Sequence, residues 1–181
     1  MKFFLCEYLT RSDDLGRVVI PKEIRRTMRI REGNPMEIYT DADGAVIFKK
    51  YSPIGELSNY AAQYAEVLYK TGGLPVLVCD RDNVIAVSGV PKKELLERRV
   101  APELEELMTN RRTLPGNGKI GSIKPVEGVE RFACVCSPII SQGDVNGAVM
   151  FVSGERENAP TETQIKLIQA AASLLGKQIE E

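Results

Sequence analysis

A cluster of basic side chains is the part of this sequence best suited to binding a charged ligand. Residues 15–31 contain six Lys or Arg and one Glu, whereas the whole chain has a formal net charge of −1. Pro21 follows a β-branched run and opens a predicted short helix, in which each residue advances by ~100°. Four of the cations then share an arc of about 100°, with Ile24 and Met28 nearly opposite. These four are Lys22, Arg25, Arg26 and Arg29.

Such a face of arginine forks suits phosphate oxygens and guanine edges. Its concentrated positive charge also attracts a phosphate backbone. The pattern therefore predicts contact with nucleic acid, and an ordinary solvated helix face is the alternative.

The other residue types exclude most enzyme chemistry. The chain contains no His, the side chain most often used for acid–base catalysis near neutral pH. Asp13 and Asp14 precede a Leu-Gly step, which is more typical of a solvated turn than of a catalytic carboxylate pair. The segment LPGNGKIG lacks the GKS or GKT ending of a phosphate-binding loop and is predicted to be a flexible loop. We predict that the protein is not an enzyme and carries no cofactor.

Four cysteines bear on metal binding and on the cellular compartment. They form no CxxC pair, and without His they cannot complete a mixed zinc site, so no metal site is predicted. Reduced, cytosolic thiols are the expectation for this pattern. Two of them lie one residue apart in a predicted strand and are expected to share one face of it. The four are Cys6, Cys79, Cys134 and Cys136, of which the last two form this pair.

The composition is that of a soluble globular protein. Of its 181 residues, 43% are hydrophobic and 27% are charged, and no window approaches the ~18 apolar residues of a membrane span. The apolar start MKFFLCEYL is interrupted at Glu7, so no export signal is predicted. These features predict a cytoplasmic protein that does not bind membranes.

Two domains are predicted, spanning residues 1–52 and 53–181. The strand expected at Val46–Tyr51 is followed by Ser52-Pro53, and this proline disfavours both helical geometry before it and a strand ladder. The first domain is too small to bury a core without a disulfide, a metal or a partner. We therefore predict that it folds as a homodimer, in which strands from two chains supply one core.

The second domain shows the pattern of an antiparallel sheet flanked by helices. Apolar residues recur with helical spacing from Ile54 to Leu68, and Gly72-Gly73 ends that helix. Four β-rich runs follow as two hairpins, and a capping box at Thr161–Gln164 opens the last helix. Both flanking helices have heptad-like spacing, which leaves two uses open: packing on their own sheet, or additional pairing of subunits into a tetramer.

The first domain closely resembles the AbrB-type swapped-hairpin DNA-binding domain. The resemblance rests on DDLGRVVIPKEIRR and EGNPMEIYTDADGAVIFKKYSP, which run from about Asp13 to Pro53. It implies an α+β fold with an intertwined β core built from two chains. It also implies that residues equivalent by motif to Arg17, Arg25 and Arg26 contact double-stranded DNA.

Three further side chains complete the predicted DNA-binding set, and they are Lys22, Arg29 and Arg11. The family carries a DNA-contacting arginine at the position of Thr10, one residue before Arg11. A shift of one residue turns a strand side chain to the opposite face. Either the local register differs here, or this contact is lost.

The rest of the chain resembles a GAF domain attached to transcription regulators of endospore formation. The matching segments are GELSNYAAQYAEVLY and VLVCDRDNVIAVSG. The resemblance implies a regulator at the nucleoid, with a GAF domain that supports oligomerisation and leaves a small-molecule effector open. An AbrB-type antitoxin and a GAF-type thiol reductase acting through Cys134 are the alternatives. The patterned second domain disfavours the antitoxin, which usually carries a disordered tail.

Overall fold

Two compact units make up the chain, Met1–Tyr51 and Ser52–Glu181. The structure is a computed structural model that describes residues 10–114, 123–153 and 159–180. Cys6 and the rest of the segment MKFFLCEYL lie outside these residues. The same holds for the predicted loop LPGNGKIG beyond its first residue.

The first unit contains one short helix and one well-formed hairpin. Helix α1 spans Lys22–Thr27, strand β1 spans Met36–Thr40 and strand β2 spans Val46–Lys50. The strands pair in antiparallel fashion from Met36↔Lys50 to Thr40↔Val46. Upstream of α1, an isolated antiparallel bridge joins Ser12 to Val18. Strand β2 confirms the strand predicted at the end of the first domain.

Helix α1 ends earlier than the sequence predicts. Its last residue is Thr27, whereas the predicted helix also includes Met28 and Arg29. The N–H of Ile30 donates to the carbonyl of Arg25 at 2.8 Å, which closes the helix in a Schellman-type turn. Arg29 takes a left-handed φ of 50° within that turn. Pro21 occupies the N-cap and not the first helical position that the sequence predicts for it, so the helix begins one residue later, at Lys22.

None of the described residues 10–51 is buried within this single chain. Large apolar side chains in the first unit are instead open to solvent, with exposed fractions of 71% for Leu15, 69% for Val19 and 63% for Ile38. Hydrophobic burial is the main favourable contribution to folding. The described residues of this unit therefore form no buried core within a single copy.

The second unit is a four-stranded antiparallel sheet with helices on both faces. The sheet order is β4-β3-β6-β5, so the two hairpins join through the central pair β3 and β6. Both predicted hairpins are present. The elements are α2 (Pro53–Glu56), α3 (Ser58–Gly72), β3 (Val76–Asp80), β4 (Val84–Ser88), α4 (Lys92–Leu95), α5 (Pro102–Thr109), β5 (Phe132–Ser141), β6 (Asp144–Ser153) and α6 (Glu162–Gln178).

Two apolar clusters fill the two faces of this sheet. Val76 and Val78 of β3 pack with α3 and α6, whereas Leu77 and Cys79 pack on the opposite side, beneath α4 and α5. This alternation follows from the two-residue period of a strand. Helix α6 lies so close to β5 that a Cβ at Gly176 would collide with the carbonyl of Ile140.

The two helices that flank the sheet bury the apolar residues whose regular spacing predicted these helices. The apolar residues of both helices are buried against the sheet, which confirms one of the two predicted uses of these helices. They include Ile54, Leu68, Ile168 and Leu175. The predicted first helix is divided at Leu57 into α2 and α3.

The predicted helix ends and the unit boundary are defined by specific hydrogen bonds. Gly73 ends α3 in the left-handed conformation, and Thr161 forms the predicted capping box of α6. Ser52 belongs to the second unit because its hydroxyl donates to Asp80 at 3.1 Å and accepts the N–H of Gly55 at 3.2 Å. The boundary therefore lies one residue before the predicted one.

A β-bulge overturns one prediction about the cysteines. The pairing of β5 with β6 shifts between Ala133 and Val135, so Cys134 is an extra residue in its strand. Cys134 consequently packs with the cluster on the α3 and α6 side, while Cys136 joins the opposite cluster. The two thiols do not share a face of the strand.

Candidate nucleic-acid interface

Arg17 is held by a tight turn that begins at Asp13. One carboxylate oxygen of Asp13, Oδ1, accepts the backbone N–H groups of Leu15 at 3.1 Å and Arg17 at 2.8 Å. Gly16 provides the left-handed φ of 72° that this turn requires. The second oxygen, Oδ2, accepts the Nε–H of Arg17 at 2.6 Å. The turn therefore fixes both the backbone and the guanidinium of Arg17.

The charge of Asp13 is stabilised by the same contacts. The backbone N–H of Arg17 is the largest cause that lowers the pKa of this carboxyl below its ordinary value, and the guanidinium of Arg17 is the next. Because the lowered pKa favours the anion, Asp13 carries its charge at neutral pH. Both side chains of this ion pair are open to solvent, so the pair contributes little to the free energy of unfolding.

Helix α1 presents three of the predicted cations on the surface. Lys22, Arg25 and Arg26 are all exposed. The Nε–H of Arg25 donates to the carbonyl of Ile20 at 3.2 Å, which ties the side chain back to the segment before the helix. Arg11 is also exposed, one residue before the bridge from Ser12.

Arg29 does not lie on the helix face that the sequence predicts. The helix ends at Thr27, and the left-handed backbone of Arg29 turns its side chain away from the spacing of 100° per residue. Arg29 is half-buried, and its carbonyl accepts the Nζ–H of Lys50 at 3.2 Å. The predicted anchoring face is also incomplete, because Ile24 is half-buried while Met28 is 49% exposed in the single chain.

A second copy of the Asp13 turn begins at Asp41. Asp41 Oδ1 accepts the N–H groups of Asp43 at 3.1 Å and Ala45 at 2.8 Å, and Gly44 takes a φ of 84°. Thr40 pairs with Val46 across this turn, as Ser12 pairs with Val18 across the first. The pattern Asp-x-x-Gly-x at both places was the sequence signal for this repeat.

The thiols of the second unit are poor nucleophiles in this fold. Burial raises the pKa of Cys134 to about 11 and that of Cys136 to about 12, and it also raises the pKa of Cys79 well above its ordinary value. A thiol must lose its proton before it attacks a substrate. The environment of these three groups therefore favours a structural role in the core.

One open depression of about 450 Å³ lies on the second unit. It borders the start of α3, the β3–β4 turn and the segment after α4. Its lining is Ser58, Asn83, Val84, Ile85, Leu96 and Glu97. Among the residues that the structure describes, no group of three or more His, Cys, Asp or Glu is placed to hold a metal ion. No helix in the same described part is long and apolar enough to cross a membrane.

Comparison with known proteins identifies the family. A model described as "Stage V sporulation protein T C-terminal, transcription factor" matches residues 56–180. The chain is also 47% identical over 174 residues to stage V sporulation protein T of Bacillus subtilis (strain 168), covering 94% of this chain and 96% of that protein. The chain belongs to the stage V sporulation protein T family. Membership confirms the predicted link to sporulation and to transcription regulation.

The first unit of this family member is of the AbrB type. A model described as "Antidote-toxin recognition MazE, bacterial antitoxin" matches residues 9–55. The transition state regulatory protein AbrB of Bacillus subtilis (strain 168) is 58% identical over 41 residues, covering 23% of this chain and 42% of that protein. The predicted AbrB-type resemblance is confirmed.

The similarity to solved structures concerns only the fold, which is GAF-like. A type II free methionine-R-sulfoxide reductase from Thermoplasma acidophilum matches with a TM-score of 0.53 and 10% identity, covering 70% of this chain and 95% of that one. A GAF domain/HD domain protein from Geobacter sulfurreducens matches with a TM-score of 0.50 and 18% identity, covering 68% and 92%. At these identities the reductase match carries no enzymatic activity over to this family member.

Proposed function

We propose that this protein regulates transcription by binding double-stranded DNA, at the nucleoid in the cytoplasm, as a dimer of first units. The observation that carries the proposal is the exposed cluster of cations around the Asp13 turn and α1. The proposed contacts are Arg17, Lys22, Arg25, Arg26, Arg29 and Arg11. A dimer doubles this charge and presents it with twofold symmetry, which suits a duplex.

Dimerisation is supported by the absence of buried residues among residues 10–51, the described part of the first unit in a single chain. A domain of this size buries too little apolar surface to fold alone without a disulfide, a metal or a partner. A second copy of the same unit supplies the missing surface, with the hairpins of the two chains interleaved. The side chains available to it are Leu15, Val18, Val19, Met28, Ile38, Tyr39 and Val46.

Sequence preference in such a complex has two sources. Arg17 has a fixed guanidinium and suits a base-edge contact, whereas the cations of α1 suit phosphates. Phosphate contacts position a protein on the duplex without reading its sequence. The deformability of the bound DNA adds preference at positions that no side chain touches.

The second unit adds further assembly and an effector site to this proposal. Tyr60 and Val67 of α3 are 52% and 59% exposed, and Leu174 of α6 is 41% exposed. Pairing of these helices between two dimers produces a tetramer. The depression beside the β3–β4 turn offers polar groups from Ser58, Asn83 and Glu97 to a small molecule.

The Arg25→Ala/Arg26→Ala double variant tests the DNA interface. Each removed phosphate contact is expected to lower the magnitude of the salt slope of binding by about 1. The affinity is expected to fall on the order of tenfold to a thousandfold, measured by fluorescence anisotropy with a labelled duplex from 50 to 300 mM salt. The circular dichroism spectrum should not change, because both side chains are exposed.

The matched control removes two exposed cations from the second unit, Lys92→Ala and Lys93→Ala. This control variant should bind as the wild type does. An unchanged salt slope in the Arg25 and Arg26 variant would overturn the assignment of this face. Sedimentation of the wild-type chain as a monomer at micromolar concentration would overturn the dimer.

A further inference from the structure

We infer that Asp13 is a positioning residue that aims Arg17 at a base edge and thereby sets the preference of the protein for particular DNA sequences. The inference rests on the proposed function, because it concerns how the same interface chooses among duplexes. It is carried by a comparison within the chain, between the turn at Asp13 and the turn at Asp41.

The contact between Asp13 and Arg17 is not needed to build the turn. Asp41 forms the same two hydrogen bonds from Oδ1 to backbone N–H groups, although the residue equivalent to Arg17 is Ala45. Both turns place glycine in the left-handed region, at Gly16 and Gly44. The bond from Arg17 Nε to Asp13 Oδ2 is therefore an addition to a turn that the chain also makes without it.

Protein stability does not account for the added bond. The side chain of Arg17 is 72% exposed and that of Asp13 is 36% exposed. Ion pairs that are this open to water contribute little to folding. A carboxylate beside a DNA-binding arginine also opposes the attraction of phosphates, so the pair reduces general affinity for DNA.

The geometry of the bond explains what the pair contributes instead. Asp13 accepts a hydrogen bond from the Nε–H of Arg17, and among the described residues no hydrogen bond involves the two terminal nitrogens of this guanidinium. Those terminal nitrogens are the fork that reads the O6 and N7 atoms of guanine. Fixing Nε sets the plane and direction of the fork before DNA arrives, so less conformational freedom is lost on binding.

Asp13→Asn separates the two effects of this carboxylate. The variant keeps an amide oxygen for the backbone bonds of the turn, but it loses the negative charge that holds Arg17. We expect the affinity to fall by about fivefold to tenfold for a duplex that the wild-type chain selects from a random-sequence pool. Affinity for a scrambled duplex of the same length should be unchanged or rise about twofold, because an opposing charge is gone.

Asp41→Asn is the matched control, since it removes the same charge from an equivalent turn that has no arginine. It should leave the ratio of the two affinities within about twofold of the wild-type ratio. Arg17→Lys provides a second route if Asp13→Asn fails to fold, because lysine keeps the charge and loses the fork. Arg17→Lys should reduce the same ratio, and combining it with Asp13→Asn should reduce the ratio no further.

The outcomes distinguish this inference from the proposed function. An Asp13→Asn variant that weakens both duplexes equally, or an additive double variant, would overturn the positioning role while leaving the DNA interface intact. A wild-type chain that binds neither duplex would overturn the interface itself. A ratio reduced equally by Asp41→Asn would show a general charge effect and would also overturn the inference.

Discussion

The two units differ in how they bury apolar surface. None of residues 10–51 is buried in the single chain, whereas the second unit has a core on each face of its sheet, with Phe151 and Leu175 fully enclosed. The difference means that one chain combines a unit whose described residues are not buried in a single copy with a unit that buries a core on both faces of its sheet. It also separates the effects of mutation, because the same substitution has different consequences in the two places.

The largest expected effect comes from truncating a core side chain in the second unit. Leu175→Ala should lower the free energy of unfolding by about 2–5 kcal/mol, because it leaves a cavity between α6 and the sheet. Urea denaturation followed by circular dichroism measures this change. A loss below about 1 kcal/mol would contradict a complete core in this unit.

Ile38→Ala is the counterpart of this change in the first unit. The side chain is 63% exposed in one chain, so a cost within about 0.5 kcal/mol is expected if no other chain covers it. Under the proposed dimer, the cost rises above about 1 kcal/mol and the transition depends on protein concentration. The costs of Leu175→Ala and Ile38→Ala together therefore test whether the two units bury apolar surface differently.

An intermediate effect is expected from the two turn glycines of the first unit. Gly16→Ala and Gly44→Ala each place a Cβ in the left-handed region, at a cost of about 1–2 kcal/mol. Apart from the glycine and its two chain neighbours, no heavy atom of the described residues lies within 4 Å of either new Cβ, so the cost is conformational and should be equal in the two turns. Urea denaturation of both variants checks this, and costs that differ by more than about 1 kcal/mol would show that the turns are not equivalent.

The smallest expected effect is the pH dependence caused by the buried thiols. Folding raises the pKa of Cys136 from an ordinary 9.0 to about 12, so the unfolded chain loses this proton first as the pH rises. The contribution of the Cys136 thiol to the free energy of unfolding is complete below pH 9. It is lost as the pH rises above 9, by about 1 kcal/mol between pH 9 and pH 10. Stability measured across this range should fall less steeply in Cys136→Ala than in the wild type. An identical slope would contradict burial of this thiol.

Most of the second unit could be predicted because its signals are local. Continuous β-rich apolar runs joined by polar turns predict the hairpins, and the capping box at Thr161 predicts the start of α6. The bulge at Cys134 could not be predicted in the same way, since a two-residue period assumes that no residue is inserted.

The candidate site was predicted by residue type better than by geometry. Arg17, Arg25 and Arg26 are exposed as expected, but Arg29 lies beyond the end of α1. The early helix end depends on a non-glycine residue in the left-handed region, which composition does not reveal. The ion pair of Asp13 with Arg17 was also missed, although its spacing of four residues was visible.

The repeated turn of the first unit bears on how its binding surface can vary. The segments from residue 12 and from residue 40 share the pattern Asp-x-x-Gly-x-Val, with the same cross-strand pair closing each turn. The first turn carries Arg17 at the position where the second carries the small residue Ala45. A gene that encodes the same loop twice can change its ligand through one copy while the other preserves the scaffold.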